Sequence, residues 1–455
     1  MKYISLATII LSSALLATSE VNTLTEVFSE AKTSGNVKYY YIQTDKDKSY
    51  TNAANTSAYA NSIGGQLHFD TASFYGFRAG VTFMTTNPFL LGPNVDASII
   101  GRDNGVRVEG NPSGSVARQG FSVLGEAYLA YDYKNMGIYV GRDVIHTPLI
   151  DAKTVRMLPS AVEGTSLYYK LDESTKFDVA YYDAFKQRTS DVFINIIKHA
   201  LGDQTKAITG SESGYVGMFG VNQKGENYSF KLYDYYASDF MNSLYLSAGY
   251  TMKLSKSKLS LDAEYITQTS VGNADTYLAE TPSVAGGAIS ANAIGLKAGL
   301  AVGSSKFALA YSQVLKDDAK HDSLVLPWDG TPLFTNMITS NDLFQSNYGN
   351  ALNADSLYIG GAQGIKLAYK QGYETFGLKG FSSTLAYLNT FFSREGFDKT
   401  QEDYNAVLQY KTAESFTLQL KGIWVKNDTS AKADGTLNAQ TKLLTQYRVI
   451  ANYTF

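Results

Sequence analysis

Apolar and polar side chains alternate along almost the whole chain beyond residue 19, and this period of two constrains the fold more than any other feature. At the C-terminus every second residue is apolar or aromatic, at Tyr447, Val449, Ala451, Tyr453 and Phe455. Successive side chains of a β-strand point to opposite faces, so one face of this segment suits hydrocarbon and the other suits water. Helical periodicity is hard to find, and the pattern predicts an all-β chain.

Segments of about ten residues with this alternation occur roughly 18 times, an even number of the kind found in bacterial membrane barrels. The predicted strands cover 35–43, 59–70, 76–85, 121–133, 137–146, 163–171, 176–184, 214–222, 227–236, 243–254, 258–268, 292–303, 306–314, 356–370, 381–393, 402–411, 416–426 and 443–455.

A soluble β-sandwich also alternates, so the period alone leaves two architectures open. Three features favour a closed transmembrane antiparallel β-barrel. First, the 34 Tyr residues cluster near the ends of apolar strand faces, where phenol rings form girdles at a lipid–water interface. Second, no linker or change of composition divides the chain, so a single sheet has to run through it. Closing that sheet removes its exposed edges.

Third, short and long connections alternate along the chain. The tight ones lie at 134–136, 172–175, 223–226, 255–257 and 412–415, and the long ones at 85–120, 184–213, 268–291 and 315–355. Short periplasmic turns and long extracellular loops produce this rhythm in outer-membrane barrels.

The first 19 residues have the order of a secretory signal peptide. Lys2 precedes an apolar stretch over 4–17, and small residues follow it before the chain becomes polar at Glu20. The stretch is too short for a membrane-spanning helix, which needs about 20 apolar residues. A buried N-terminal helix is the alternative. We therefore expect a cleaved signal peptide at 1–19, a single barrel domain at 20–455 and export to the bacterial outer membrane.

Composition excludes several functional classes. The formal charge of −3 argues against a nucleic-acid partner, and the absence of Cys excludes disulfide scaffolds, thiol nucleophiles and Cys-ligated zinc. The four His residues lie far apart in sequence, and no Gly-x-Ser-x-Gly motif occurs. We therefore predict no cofactor, no metal site and no enzymatic activity.

Three segments carry a resemblance to a known family. They are GIYVGRDVIHTPLIDAKTVRMLPSAVEG at 137–164, GEAYLAYDY at 125–133 and QYRVIANYTF at 446–455. Together they resemble the OprD-like outer-membrane porins. The resemblance implies an 18-stranded porin whose third outer loop folds into the lumen and which admits small amino acids, peptides, carboxylates or ions. It also implies a monomer or weak homotrimer, and a terminal Phe455 used by the barrel-assembly machinery.

The predicted third long loop, Thr147–Val162, supplies the candidate eyelet of such a pore. Two prolines stiffen its ends, and charged residues lie between them. With the motif residues that flank it, the candidate set is Thr147, Pro148, Asp151, Lys153, Arg156 and Glu163. A solvated surface loop without a role in the pore is the alternative.

Strand parity assigns further charged residues to the lumen. The acids fall on predicted strands four to eleven and are Glu126, Asp132, Asp178, Asp262 and Glu264. The bases fall mainly on predicted strands twelve to eighteen, one and three, and are Lys38, Arg78, Lys297, Lys366, Lys370, Lys421 and Arg448. Such a separation predicts a field across the lumen, although Lys170 and Lys231 depart from it. Any one of these charges could instead only solvate a polar wall.

The family resemblance implies a basic ladder on the C-terminal strands, and Lys366, Lys421 and Arg448 are its candidates. Lys dominates where the ladder is typically Arg, which predicts weaker bidentate binding of carboxylates. The long segment around Pro327–Phe334 either lines the vestibule or packs on loops at the rim. A surface adhesin or a plugged barrel without conduction is the alternative function, and the preferred solute is not readable from the sequence.

Overall fold

The computed structural model describes residues 20–46, 57–89, 120–153, 155–338, 358–394, 397–413, 415–431 and 439–455. The predicted signal peptide at 1–19 lies outside these residues and stays a prediction. Parts of the predicted loops at 85–120 and 315–355 also lie outside them.

Eighteen antiparallel strands form one closed barrel. In chain order they are β1 (Lys32–Lys46), β2 (Ser57–Asp70), β3 (Phe77–Pro88), β4 (Phe121–Tyr133), β5 (Met136–Asp143), β6 (Ala161–Lys170), β7 (Thr175–Lys186), β8 (Val216–Lys224), β9 (Tyr228–Ala237), β10 (Met241–Lys253), β11 (Ser257–Ser270), β12 (Ser290–Val302), β13 (Ser305–Val314), β14 (Gln363–Gly372), β15 (Phe381–Arg394), β16 (Phe397–Lys411), β17 (Phe416–Thr429) and β18 (Gln440–Thr454). Each strand pairs with the next, and β1 pairs with β18 from Asn36↔Thr454 to Lys46↔Leu444, which closes the sheet. The predicted 18-stranded barrel is confirmed.

The remaining elements are short. Helices span Leu24–Ser29 (α1), Ile196–Leu201 (α2), Thr205–Thr209 (α3), Asn273–Glu280 (α4) and Pro282–Ala285 (α5), with 3₁₀ turns at Gly202–Gln204 and Glu374–Phe376. Two-residue strands at Glu20–Val21, Ser73–Phe74 and Ile194–Asn195 extend the sheet. Within the described residues, no helix has both the length and the apolar character needed to cross a membrane.

The two ends of the barrel differ in the length of their connections. At one end, here called the turn end, strands join through short segments such as 134–135 and 303–304. At the other, the loop end, the connections include L3 (144–160), L4 (187–215), L6 (271–289) and L7 (315–362). Residues 238–240 are an exception, because they join β9 to β10 at the loop end in a tight turn.

Side chains of the barrel wall alternate between the outer face and the lumen face, as the sequence period predicts. Leu129 and Phe77 on the outer face are 68% and 61% exposed, whereas their chain neighbours Ala130 and Arg78 are buried. An apolar outer face with a mixed inner face is the arrangement that a lipid environment requires.

Two β-bulges shift this alternation. Between β3 and β4, Thr82 pairs with Glu126 but Phe83 pairs with Leu124, so Gly125 has no partner in the register. Between β6 and β7, Asp183 is skipped in the same way. A bulge adds one residue to one strand. Beyond the bulge, each side chain therefore points to the face opposite to the one that strict alternation predicts.

Candidate functional site

L3 crosses the interior of the barrel. It leaves the wall at β5, yet its middle is held by β1 on another part of the wall. Lys38 Nζ donates to the backbone oxygen of Arg156 at 2.5 Å and to that of Met157 at 3.4 Å. The Tyr40 hydroxyl donates to the carbonyl of Val155 at 3.0 Å.

The beginning of L3 is a tight turn with its own hydrogen bonds. Nδ1 of His146 lies 2.8 Å from Oδ1 of Asp151, and the Thr147 hydroxyl donates to the Ile150 carbonyl at 2.8 Å. Pro148 lies inside this turn. Thr147 and Asp151, two of the predicted eyelet residues, thus make contacts that hold the loop in shape.

The end of L3 is fastened to β7. Lys186 Nζ donates to the carbonyl of Pro159 at 2.9 Å, and Lys186 is fully buried. Lysines from two separate strands thus bind carbonyl groups of one loop. Arg156 is partly exposed at the first of these two anchor points, and Lys153, also partly exposed, precedes it.

Four basic residues belong to the region where L3 is bound to β1. Lys421 on β17 and Arg448 on β18 are directly opposite each other in the register, on the lumen face. Arg448 donates to the Tyr40 hydroxyl at 3.2 Å, and Tyr40 in turn binds L3. We call Lys38, Arg156, Lys421 and Arg448 the basic node. Like charges directly opposite each other destabilise a sheet, so this arrangement favours an anion between them.

A second basic pair lies nearer the turn end. Lys306 on β13 and Lys370 on β14 are register partners on the lumen face. Within the described part of the chain, neither they nor Lys421 have a carboxylate within 4.0 Å. Lys306 is missing from the predicted set, although the alternation of β13, with Phe307 on the outer face, would have identified it.

L7 also lies against the inner wall. Glu264 on β11 accepts the backbone N–H of Phe334 at 2.8 Å, and Lys366 Nζ on β14 donates to the carbonyl of Asn336 at 2.5 Å. Lys297 Nζ lies 4.7 Å from the centroid of the Phe334 ring. Glu264 and Lys366, predicted as lumen charges, therefore bind a loop.

The segment Pro327–Phe334 packs inside rather than on the rim. Trp328 is 1% exposed, and its indole N–H donates to the carbonyl of Ile196 in L4 at 3.1 Å. The backbone N–H of Asp151 in L3 donates to the Trp328 carbonyl at 3.1 Å. L3, L4 and L7 therefore contact one another within the loop half of the barrel.

The predicted lumen acids have neighbours that compensate their charge. Arg78 donates to Asp132 at 3.0 Å and to Asp70 at 3.1 Å, and also to the hydroxyl groups of Tyr128 and Tyr139. These residues form a polar network on β2 to β5. Arg78 therefore serves the acidic side of the lumen.

The other acids are compensated more simply. Asp178 lies 2.7 Å from Nζ of Lys176, and Asp262 lies 3.1 Å from Nζ of Lys297. Glu126 accepts a hydrogen bond from Thr82 and lies close to His68.

Glu163 lies outside the predicted eyelet. The register pairs it with Arg142, which pairs with Ala127, and Ala127 shares a face with the exposed Leu129. Glu163 therefore points outward and forms an ion pair with Arg142 at 2.8 Å. It belongs to a strand rather than to L3, and strand register fixes its direction.

Comparison with known proteins identifies relatives of this barrel. A family model described as "outer membrane porin, OprD family" matches residues 25–455. No curated protein matches the sequence.

Solved structures with the same fold include two from Pseudomonas aeruginosa and one from Acinetobacter baumannii. OpdK of P. aeruginosa, solved with vanillate, has a TM-score of 0.68 at 13% identity, covering 94% of this chain and 99% of its own. OccK2 (OpdF) of P. aeruginosa, in complex with glucuronate, has a TM-score of 0.65 at 13% identity, covering 94% and 98%. OccAB1 of A. baumannii has a TM-score of 0.71 at 14% identity, covering 94% and 97%.

Proposed function

The chain belongs to the OprD family of outer-membrane porins, and on that premise we propose that it admits small hydrophilic solutes bearing a carboxylate, which pass the basic node by diffusion. The lumen charges favour anions over neutral or cationic solutes. The basic node carries the proposal, because Lys421 and Arg448 face each other across two paired strands.

The distribution of ion pairs supports an anionic solute. Asp132, Asp178 and Asp262 each have a cation within about 3 Å, whereas Lys306, Lys370 and Lys421 have no carboxylate within 4.0 Å in the described residues. An uncompensated cation on a wet wall attracts anions and raises their local concentration. Two relatives are named with carboxylate ligands, vanillate and glucuronate.

The inward loops support selection by size and charge together. L3 reaches from β5 to β1, and L7 is bound to β11 and β14, so both occupy space that an open barrel would leave to water. A narrowed passage brings a solute closer to the wall, where charge is less screened. Arg156, whose carbonyl is bound by Lys38, is the loop's contribution to the basic node.

Ion selectivity in planar bilayers tests the proposal. The wild-type protein should conduct with a preference for anions, and Lys421→Glu should move the reversal potential toward cations. Two unit charges about 4 Å apart interact by about 1 kcal/mol in water, so permeability ratios should change roughly fivefold. Liposome swelling with carboxylates and with neutral sugars of equal size then tests the solute class.

Lys426→Glu is the matched control. Lys426 is on the same strand as Lys421 but alternates to the outer face, where it pairs with Asp428 at 2.7 Å. The same substitution there should leave the reversal potential unchanged. Equal shifts of the reversal potential in the two variants, or no shift in either, would contradict the role proposed for the basic node. A wild-type protein that never conducts would favour a plugged or adhesive barrel instead.

A further inference from the structure

Asp329 of L7 lies where three loops meet. An isolated β-bridge pairs it with Ile150 of L3, and its Oδ1 lies 3.3 Å from a guanidinium nitrogen of Arg188 in L4. The neighbouring Trp328 binds both loops through its backbone and its indole.

The ion pair is shielded from water. The side chains of Arg188 and Asp329 are 11% and 6% exposed, and Oδ2 of Asp329 is buried without a hydrogen bond in the described part of the chain. Lys186 is close by, but its Nζ donates to the carbonyls of Pro159, Gln187 and Ser190. The guanidinium of Arg188 is the cation in direct contact with this carboxylate, so removing it would leave a buried charge without its ion-pair partner.

The backbone at this point is unusual as well. Asp329 has φ of +63°, a left-handed conformation that Asp tolerates better than most residues but that still requires support. The next residue, Gly330, packs so tightly on Leu149 that a Cβ atom would lie 2.4 Å from the Leu149 oxygen. Such a conformation persists only where the surroundings hold it.

The rest of L7 is fastened differently. Phe334 and Asn336 are bound to the wall by Glu264 and Lys366. The part around Asp329 is bound mainly to other loops, and L3 carries Arg156 of the basic node. The position of L3 relative to the node therefore depends on contacts between loops as well as on contacts with the wall.

We propose that Arg188 and Asp329 are positioning residues. Their ion pair joins L4 to L7, the backbone bridge of Asp329 with Ile150 joins L7 to L3, and the three loops thus hold the aperture at a constant width. The proposal rests on the proposed function, since it concerns the passage through which solutes diffuse. Neither residue needs to contact the solute. Their loss lets L7 and L3 move relative to the basic node, so the aperture fluctuates.

Single-channel recording and hydrogen exchange test the proposal together. Arg188→Gln and Asp329→Asn should each raise the current variance of the open state severalfold and should speed amide exchange at Asp151. Asn keeps the tolerance for a left-handed backbone, so Asp329→Asn removes the charge without adding strain. The double variant should be no worse than the more affected single one, because both remove one interaction.

Lys253→Gln is the control, because it breaks an exposed ion pair with Glu226 at the turn end, away from the loops. It should leave both noise and exchange unchanged. Wild-type noise and wild-type exchange in a folded Arg188→Gln protein would overturn the proposal. Amide exchange is measurable even if the barrel does not conduct. A failure of the proposed transport function can therefore be distinguished from a failure of the proposed role of the Arg188–Asp329 ion pair.

A covalent link between L3 and L7 at the same point gives a second test of the tethering role of position 329. The chain has no Cys, and the bridged pair Ile150 and Asp329 has the backbone separation that a disulfide needs. The Ile150→Cys/Asp329→Cys variant should be noisy when reduced and as quiet as wild type when oxidised. Equal noise in the two redox states would contradict a tethering role.

Discussion

The two sides of the lumen use their charges in different ways. On the acidic wall, here β2 to β11, carboxylates are matched by neighbours: Asp132 by Arg78, and Asp178 by Lys176. On the basic wall, here β12 to β18 with β1, cations face cations, as Lys421 faces Arg448 and Lys306 faces Lys370. The carboxylates named on the acidic wall are thus held in ion pairs, whereas Lys306, Lys370 and Lys421 each have a cation as a register partner.

The basic wall is itself divided. Lys38 and Lys366 donate to carbonyls of L3 and L7, so part of the predicted ladder acts as loop anchors. Within the residues that the structure describes, Lys421 and Lys370 have no such bond. A lysine that faces the lumen therefore does not necessarily act on a solute, because the ammonium groups of Lys38 and Lys366 are already hydrogen-bonded to loop carbonyls.

Arg78→Gln, on the acidic wall, should reduce the free energy of unfolding more than any other substitution proposed for the two walls. It leaves Asp70 and Asp132 close together without their shared cation and removes hydrogen bonds to two tyrosines. Removing one partner of a buried pair costs about 3 kcal/mol, so unfolding of the purified barrel in denaturant should shift accordingly.

Lys370→Gln is the counterpart on the basic wall. Its register partner is Lys306, so the substitution removes a repulsion and should change stability by less than about 1 kcal/mol, in the stabilising direction. Equal destabilisation by the two variants would show that the walls do not differ.

Asp262→Asn should remove the carboxylate from the Asp262–Lys297 ion pair and leave the positive charge of Lys297. It leaves Lys297 without its carboxylate beside the ring of Phe334, so the lumen gains an uncompensated cation. Ion pairs that water and salt screen are worth up to about 1 kcal/mol, and we expect roughly a twofold rise in the anion-to-cation permeability ratio. Reversal potentials measure it.

The control for this change is Asp428→Asn, which frees Lys426 on the outer face in the same way. It should leave the permeability ratio as it is. If Asp262→Asn also leaves it unchanged, Lys297 is compensated by something other than Asp262.

The strands could be predicted because a membrane barrel imposes one rule on every residue of its wall. The segment predicted at 121–133 is the strand Phe121–Tyr133. The segment predicted at 356–370 begins only at Gln363. Before it, Tyr358 is buried in the interior cluster that includes L3, L4 and L7, Ile359 packs with Phe392, and Gly361 turns the chain with φ of +93°. An apolar run thus has the same appearance whether it faces lipid or packs on a loop.

The sequence predicts which face of the barrel wall each site residue points to, but it does not predict which groups that residue binds. Parity places Lys38 and Lys366 on the lumen face, yet their partners are backbone carbonyls of loops, which no side-chain pattern reveals. Glu163 shows a second limit: it lies beside a bulge and pairs outward with Arg142, and neither feature follows from residue type. Lys306, by contrast, obeys the period and was within reach of the sequence.

The smallest expected effect concerns pH and the loop that covers the acidic wall. The His199 ring in L4 lies 4.6 Å from the ring of Phe185, and burial lowers the pKa of His199, while the nearby Asp329 carboxylate acts in the opposite direction with less effect. The unfolded chain therefore binds this proton more readily than the folded one. Its contribution to stability is complete above the unfolded pKa of about 6.5 and is lost as the pH falls through the folded pKa.

Unfolding free energies of wild type and His199→Gln, compared between pH 7.5 and 5.5, isolate this effect. The wild type should lose slightly more stability on acidification than the variant, because Gln does not titrate. An identical loss in both proteins would assign the acid sensitivity to the wall carboxylates instead and would place it in the network around Arg78.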